Sequence, residues 1–111
     1  MLVELKSNET IQDHLKEGQI AIVKFATTTC PPCKMLKPVF EKLSTEKDLD
    51  NVVFIAADAN SHPQANEYGV SSVPTLLFFK GKAVLGQNVG FVPEKQLHDF
   101  LVKLETEELA N

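Results

Sequence analysis

The sequence predicts an α/β domain in which a central mixed β-sheet is flanked by helices on both faces. Two apolar runs rich in β-branched residues, Ile20–Ala26 and residues 52–57, have the composition of strands that are buried on both faces. A helical pattern follows each run, which is typical of parallel strands joined by right-handed crossovers. A strand–turn–strand segment around Gly81 then precedes a last helical pattern, so the predicted order is β-α-β-α-β-α-β-β-α.

The first half of the chain contains four predicted elements. They are a strand at residues 2–5, a polar helix at 8–17 closed by Gly18, a strand at Ile20–Ala26, and a helix from the Cys-Pro-Pro-Cys motif to about residue 46. The first helix is predicted because Ile11 and Leu15 stand four residues apart and a glycine follows. The second is predicted from apolar residues at helical spacing, and Pro38 inside it is expected to kink it.

The second half contains five predicted elements of the same single domain, residues 1–111. They are a strand at 52–57, a short helix at 63–68 ending at Gly69, strands at 75–79 and Ala83–Val89, and a last helix that begins at Pro93. Pro93 marks a first helical turn because its missing N–H costs nothing there. The acidic segment from about 105 to 111 is expected to be a frayed tail.

Several residues outside the cysteine motif are expected to have structural roles only. The phenylalanines on strand or helix core positions are expected to pack in the core: Phe25, Phe54, Phe78, Phe79 and Phe100. Asp58 and Asn60 follow a predicted strand and are expected to form a cap or a turn. His62, beside Pro63, is expected to be a solvated loop residue.

Composition and charge exclude several classes of function. The 111 residues carry a net charge of −4, and all eleven basic residues are lysines, so a basic surface for nucleic acid is not expected. No apolar run approaches the ~20 residues of a membrane-spanning helix. The N-terminus has no basic region followed by an apolar stretch, so no secretory leader is predicted and the expected location is the cytoplasm.

The only two cysteines, Cys30 and Cys33, stand two residues apart. A disulfide across so short a loop contributes only about 2 kcal/mol of chain entropy, so a purely structural crosslink is not favoured. A structural zinc site needs about four ligands, and the histidines at positions 14, 62 and 98 do not have the required spacing. Neither a metal nor another cofactor is therefore expected, and the pattern favours redox chemistry.

The position of the motif supports a reactive thiol. Cys30 ends a loop and begins a helix, where the positive end of the helix dipole favours a negative thiolate. Cys33 lies one helical turn later, is expected to be shielded, and is close enough to attack a mixed disulfide formed at Cys30. Pro31 and Pro32 remove two amide donors, so the Cys33 amide is the first that remains to stabilise the thiolate.

The sequence resembles the thioredoxin family from residue 2 to about residue 104. The matching segments are Cys30-Pro31-Pro32-Cys33-Lys34-Met35, Pro38 in the following helix, Tyr68-Gly69-Val70, Val73-Pro74-Thr75, and Val89-Gly90. The resemblance implies a thioredoxin fold with a cis Val73–Pro74 bond that faces the two cysteines. It also implies a substrate groove whose candidate residues are Thr29, Pro31, Pro32, Val73, Pro74, Val89, Gly90 and Phe91. The alternative for Pro74 is an ordinary turn or edge-strand proline.

Three departures from the family pattern affect the site. The residues between the cysteines are Pro-Pro where the family usually has Gly-Pro, and Thr29 stands where the family usually has Trp. Lys24 aligns with the family's buried Asp, and Ala56 with that residue's lysine partner. If Lys24 points inward, it is a candidate catalytic residue that acts as a base or stabilises the Cys33 thiolate. The simpler expectation is that Lys24 extends to the surface and that water carries the proton.

The predicted function is thiol–disulfide oxidoreduction of thioredoxin type, in which the Cys30/Cys33 dithiol reduces protein disulfides. The alternatives are glutaredoxin-like chemistry with glutathione, disulfide oxidation or isomerisation, and a redox-sensing binding module that does not turn over. The expected partners are disulfide-containing proteins and a thioredoxin-reductase-like electron donor, with no nucleic acid and no membrane. The protein is expected to be a monomer.

Overall fold

The computed structural model describes the backbone of residues 2–110 and the side chains of residues 2–106. The strands are β1 (Leu2–Glu4), β2 (Ile20–Ala26), β3 (Val53–Asp58), β4 (Thr75–Lys80) and β5 (Ala83–Val89). The helices are α1 (Pro31–Leu43), α2 (Gln64–Glu67) and α3 (Glu94–Ala110), with short 3₁₀ helices at Ile11–His14 and Lys47–Leu49. Within residues 2–110 there is no helix with the length and apolar character that a bilayer crossing requires.

The five strands form one mixed sheet in the order β1-β3-β2-β4-β5, which confirms the predicted fold class. Strands β1, β3 and β2 are parallel, whereas β4 runs antiparallel to β2 and β5 runs antiparallel to β4. The central strand β2 is therefore flanked by a parallel and an antiparallel neighbour. Its Val23 pairs in register with Ile55 of β3 and with Leu77 of β4.

Alternate residues of the central strands supply two separate apolar cores. Ile20 and Ile22 of β2 face Leu36 and Phe40 of α1, in a core that includes α3 residues. Residues of β2 with the opposite parity face the other side, where the first 3₁₀ helix and α2 cover the sheet. Because both faces of the sheet are covered, β2 is apolar along nearly its whole length, as the sequence predicted.

Three helices are shorter than the sequence predicted, and α2 is Gln64–Glu67 instead of 63–68. The helix expected at residues 8–17 is only the 3₁₀ helix Ile11–His14, because Leu15 turns extended (φ −92°, ψ 140°). Thr10 and Asp13 form a capping box at its start. The helix therefore begins with an ordinary N-terminal cap but continues for only one turn. Helix α1 ends at Leu43 instead of about 46, where the Ser44 and Thr45 hydroxyls donate to nearby helix carbonyls.

The predictions for His62 and Phe100 were wrong. His62 is only 5% exposed, and its ring bonds to the Glu9 carbonyl (2.8 Å) and accepts from the Gln64 N–H (3.2 Å), so it is no solvated loop residue. Phe100 is 42% exposed, although one side of its ring packs edge-on against Phe78 with the ring centroids 4.9 Å apart. The other four phenylalanines are buried as predicted.

The turn after β3 forms as predicted, whereas the C-terminal segment does not fray as predicted. The Asn60 N–H donates to the Asp58 carboxylate at 2.8 Å, which confirms the predicted turn. Helix α3 continues to Ala110, so it includes most of the segment that was expected to be a tail. Residue 111, the end of that segment, lies outside the described residues, as does Met1 of the predicted domain.

Candidate functional site

Cys30 is the N-cap residue of α1, which places its thiol at the first turn of the helix. Its backbone is extended (φ −87°, ψ 120°), and its carbonyl accepts the first helical hydrogen bond from the Lys34 N–H at 3.0 Å. Pro31 and Pro32 occupy the first two helical positions, where proline is tolerated because those N–H groups have no partner in a helix. The Cys33 N–H therefore donates to Cys30 Sγ at 3.3 Å, as the sequence predicted.

The two thiols lie in different environments. Cys30 is partly exposed, whereas Cys33, which lies within the first turn of α1, is only 3% exposed. Burial raises the pKa of the Cys33 thiol, and the bond to Cys30 adds to the rise, while hydrogen bonds from Thr27 oppose it. Both cysteines are free thiols. Thr27 was not singled out from the sequence, because only the fold brings the end of β2 beside Cys33.

The loop before β4 contacts Cys30 directly. The Val73–Pro74 peptide bond is cis, which confirms the expectation from the family resemblance. The Cys30 thiol donates to the Val73 carbonyl at 3.6 Å, across 43 residues of sequence. The Gly90 N–H donates to the Pro74 carbonyl at 2.8 Å, so the end of β5 is attached to the same loop.

The candidate substrate residues differ in exposure, because Pro74 is buried and Val73 is only partly exposed. Val89 pairs with Thr75 at the end of the hairpin and is 56% exposed, and Phe91 is also exposed. Gly90 between them has φ 101°, a conformation that favours glycine. Thr29 and Pro31 are exposed next to Cys30, whereas Pro32 is half-buried. Hydrogen bonds link Cys30 to Val73 and Gly90 to Pro74, whereas Thr29 and Phe91 make no hydrogen bond to these four residues within the described part of the chain.

Lys24 does not extend to the surface, so the simpler sequence prediction was wrong. Its side chain is only 7% exposed, and Nζ lies 5.0 Å from the centroid of the Phe40 ring. Burial is the largest influence on its pKa and lowers it from the ordinary value of lysine. The physical reason for the inward position is the strand parity, because Lys24 shares the face of β2 that α1 covers.

Lys24 and Cys33 line one cavity of about 390 Å³ beneath α1. Its wall also includes Ala56, which pairs in register with Lys24 on the neighbouring strand β3. Among the described side chains, no group of three or more His, Cys, Asp or Glu is arranged to hold a metal ion. The chemistry available at this site is therefore that of one accessible thiol, one shielded thiol and one buried ammonium.

Comparison with known proteins identifies relatives of the whole chain. The sequence profile of the Thioredoxin family matches residues 2–103. A thioredoxin from Chlamydia trachomatis is 36% identical over 104 residues, which cover 93% of this chain and 95% of that protein. A thioredoxin from Bacillus subtilis is 35% identical over 104 residues, which cover 93% of this chain and 98% of that protein.

Two fungal proteins give the same result. A thioredoxin-like protein from Fusarium culmorum is 39% identical over 94 residues, or 80% of this chain and 78% of that protein. The crystal structure of thioredoxin from Malassezia sympodialis superposes with a TM-score of 0.83 at 28% identity, covering 95% of this chain and 91% of that one. Sequence and fold therefore point to one family.

Proposed function

This chain belongs to the thioredoxin family and is a protein-disulfide reductase, and we propose that Cys30 is its attacking thiol and Cys33 its resolving thiol. The Cys30 thiolate attacks a substrate disulfide, forms a mixed disulfide and releases the first substrate sulfur as a thiolate. Cys33 then attacks Cys30 Sγ, so that the Cys30–Cys33 bond forms and the second substrate sulfur leaves. Two electrons pass to the substrate, whose two sulfurs each take up a proton.

The observation that carries this assignment is the difference in exposure between the two thiols. A protein disulfide is too large to reach a side chain that is 3% exposed, whereas Cys30 is partly exposed at the helix terminus. The Cys33 N–H donates to Cys30 Sγ at 3.3 Å, so the accessible sulfur lies against a backbone donor at the N-terminus of α1. Cys33 lies one turn away, within reach of a mixed disulfide at Cys30.

We propose that the substrate binds as an extended segment beside the cis-proline loop. The Val73 carbonyl points to Cys30, so a substrate strand placed there brings its cysteine to the attacking sulfur. The proposed contact residues are Thr29, Pro31, Pro32, Val73, Pro74, Val89, Gly90 and Phe91. Exposed apolar side chains at Val89 and Phe91 suit an apolar residue next to the substrate cysteine.

Family membership supports two kinds of partner: proteins with disulfides as substrates, and a reductase that returns the Cys30–Cys33 disulfide to the dithiol. We propose that a thioredoxin-reductase-like enzyme is this electron donor and that the protein acts as a monomer. We also propose a reducing compartment such as the cytoplasm, because a dithiol reductant can be maintained there.

Trapping of the mixed disulfide tests which cysteine attacks. Cys33→Ser is expected to accumulate a covalent complex with a disulfide-containing protein, because the resolving step is removed. Cys30→Ser is expected to form no such complex, since the remaining thiol is shielded. Mass spectrometry of the complex identifies the linked cysteine. A complex that forms through Cys33 as readily as through Cys30 would contradict the assignment.

A further inference from the structure

Lys24 carries a buried positive charge that has no ion-pair or hydrogen-bond partner among the side chains described. Its Nζ lies over the Phe40 ring, 5.0 Å from the ring centroid. A cation over an aromatic face recovers only part of the cost of removing an ammonium group from water. Ile20 and Ile22, the other residues of β2 whose side chains lie fully in the core on this face, are apolar, so the charge of Lys24 is exceptional there.

The charge of Lys24 lies at the cavity that Cys33 also lines. Glu4, Ala56 and Lys24 pair in register across three neighbouring strands, so their side chains lie in one row on the face that α1 covers. Ala56 lies in the middle of the row, and all three residues line the cavity of about 390 Å³ that Cys33 also lines. The ammonium and the shielded thiol therefore share one partly enclosed space.

Other charged groups surround this cavity, but they are exposed. Lys34, Lys37 and Asp58 line it from α1 and from the end of β3, and Glu4 lines it from β1. Glu41 of α1 also acts electrostatically on Lys24. Since all five are exposed, solvent screens their charges strongly. Lys24 is the one charged side chain of this set that is buried, and Cys33 acts electrostatically on it, although more weakly than Glu41, Lys37 and Glu4.

We propose that the Lys24 ammonium stabilises the thiolate form of Cys33 and thereby promotes the step in which Cys33 resolves the mixed disulfide. The inference rests on the proposed role of Cys33 as the resolving thiol. Burial of Cys33 disfavours the thiolate that this step requires, and a cation in the same cavity offsets that cost. The proton of the Cys33 thiol leaves through the cavity, and the departing substrate thiolate takes up a proton from water.

In this proposal, Lys24 acts as a cation and not as a base. Burial lowers the pKa of Lys24, and Glu41, Glu4 and Cys33 oppose that shift only in part, so the two roles have to be separated by experiment. Arginine therefore provides the matched comparison, because it retains the charge and cannot accept a proton. Lys24→Met removes the charge with a side chain of similar length, and Lys47→Met does the same at an exposed site on the second 3₁₀ helix.

The direct test is a titration of Cys33 in the Cys30→Ser background, in which the ultraviolet absorbance of the thiolate is measured at each pH. Lys24→Met is expected to move the titration to higher pH and to reduce the thiolate population about tenfold at a fixed lower pH. Lys24→Arg and Lys47→Met are expected to titrate like the parent. An unchanged titration in Lys24→Met, or the same upward movement in Lys24→Arg, would overturn the proposal. Lys24→Gln is a second neutral variant in case methionine alters the packing.

A single-turnover experiment connects the charge to the reaction. In the protein with both cysteines, Lys24→Met is expected to slow decay of the mixed disulfide about tenfold while formation of that intermediate is unchanged. Equal decay rates in Lys24→Met and the parent would contradict the proposal. The titration does not depend on disulfide reduction, so it still tests the effect of Lys24 on Cys33 if the assignment of the attacking thiol fails.

Discussion

At the residue scale, the distinctive group is the buried lysine beneath α1. An isolated buried charge costs several kcal/mol before compensation, and replacement by an apolar side chain often stabilises a protein. Lys24→Met is therefore expected to raise the free energy of unfolding by about 1–2 kcal/mol. Urea denaturation followed by far-ultraviolet circular dichroism measures the change, with Lys47→Met as the control. A loss of stability in Lys24→Met would mean that the ammonium is better compensated than its contacts indicate.

Residue-scale prediction from the sequence succeeded where the signal was local. The order of Cys30, Pro31, Pro32 and Cys33 alone predicts which amide reaches the Cys30 sulfur, and the structure has that bond. Strand parity places Lys24 on the same face as Ile20 and Ile22, but the burial of its end depends on Phe40 of α1, which only the fold brings over Nζ. His62 was misplaced for the same reason, since its partner is the Glu9 carbonyl.

At the element scale, a buried amide attaches the first 3₁₀ helix to α2. Gln64 Oε1 accepts from the Ile11 N–H at 2.6 Å, and its amide nitrogen donates to Gln12 and to Glu67. Gln64→Leu leaves the buried Ile11 N–H without this partner, so unfolding is expected to become easier by about 1–3 kcal/mol. Denaturant unfolding measures the effect, with exposed Gln96→Leu as the control. Equal stability in both variants would show that the connection is dispensable.

A second connection joins α3 to the second 3₁₀ helix and is sensitive to pH. His98 bonds to Asp99 (3.0 Å) and to Asp48 (2.7 Å), and these bonds raise the pKa of His98. Because the pKa of His98 is raised in the folded state, the bonds of His98 contribute fully to folding stability below the unfolded pKa of about 6.5. This contribution is lost as the pH rises through the folded pKa.

His98→Gln is therefore expected to be less stable than the parent at pH 5 and to approach it as pH rises above neutrality. The difference should stay below about 1 kcal/mol, because solvent screens this surface cluster. Thermal unfolding measured at several pH values gives the comparison. A stability difference between the two proteins that does not change with pH would contradict the assigned role of His98.

Element boundaries show where local sequence signals are sufficient. Strand β2 matches its predicted range because its composition is almost continuously apolar. Strand β5 matches its predicted range because the tight turn at Gly81 defines its start. The predicted helix at 8–17 rested on Ile11 and Leu15, and both are buried as that pattern requires. Leu15 reaches the core in an extended conformation, which the spacing of two apolar residues could not distinguish from a helix.

At the scale of the whole molecule, the site lies at the end of β2, the strand at which pairing in the sheet changes from parallel to antiparallel. Helix α1 leaves the carboxyl end of β2, whose parallel neighbour β3 is on one side and antiparallel neighbour β4 on the other. The loop that contains Pro74 enters β4 at this same end, which brings Val73 to Cys30. The sequence predicted a mixed sheet, but strand order depends on long-range pairing, and only the family resemblance predicted this contact.

The central claim is that the Cys30–Cys33 pair acts as a disulfide reductant, and its equilibrium reduction potential tests this most directly. The redox state in defined thiol buffers can be followed by alkylation and mass shift, because the chain has no tryptophan to report it by fluorescence. We expect a value at or below about −250 mV, which favours transfer of electrons to substrate disulfides. A value above about −200 mV would contradict the claim and would indicate an oxidase or isomerase instead.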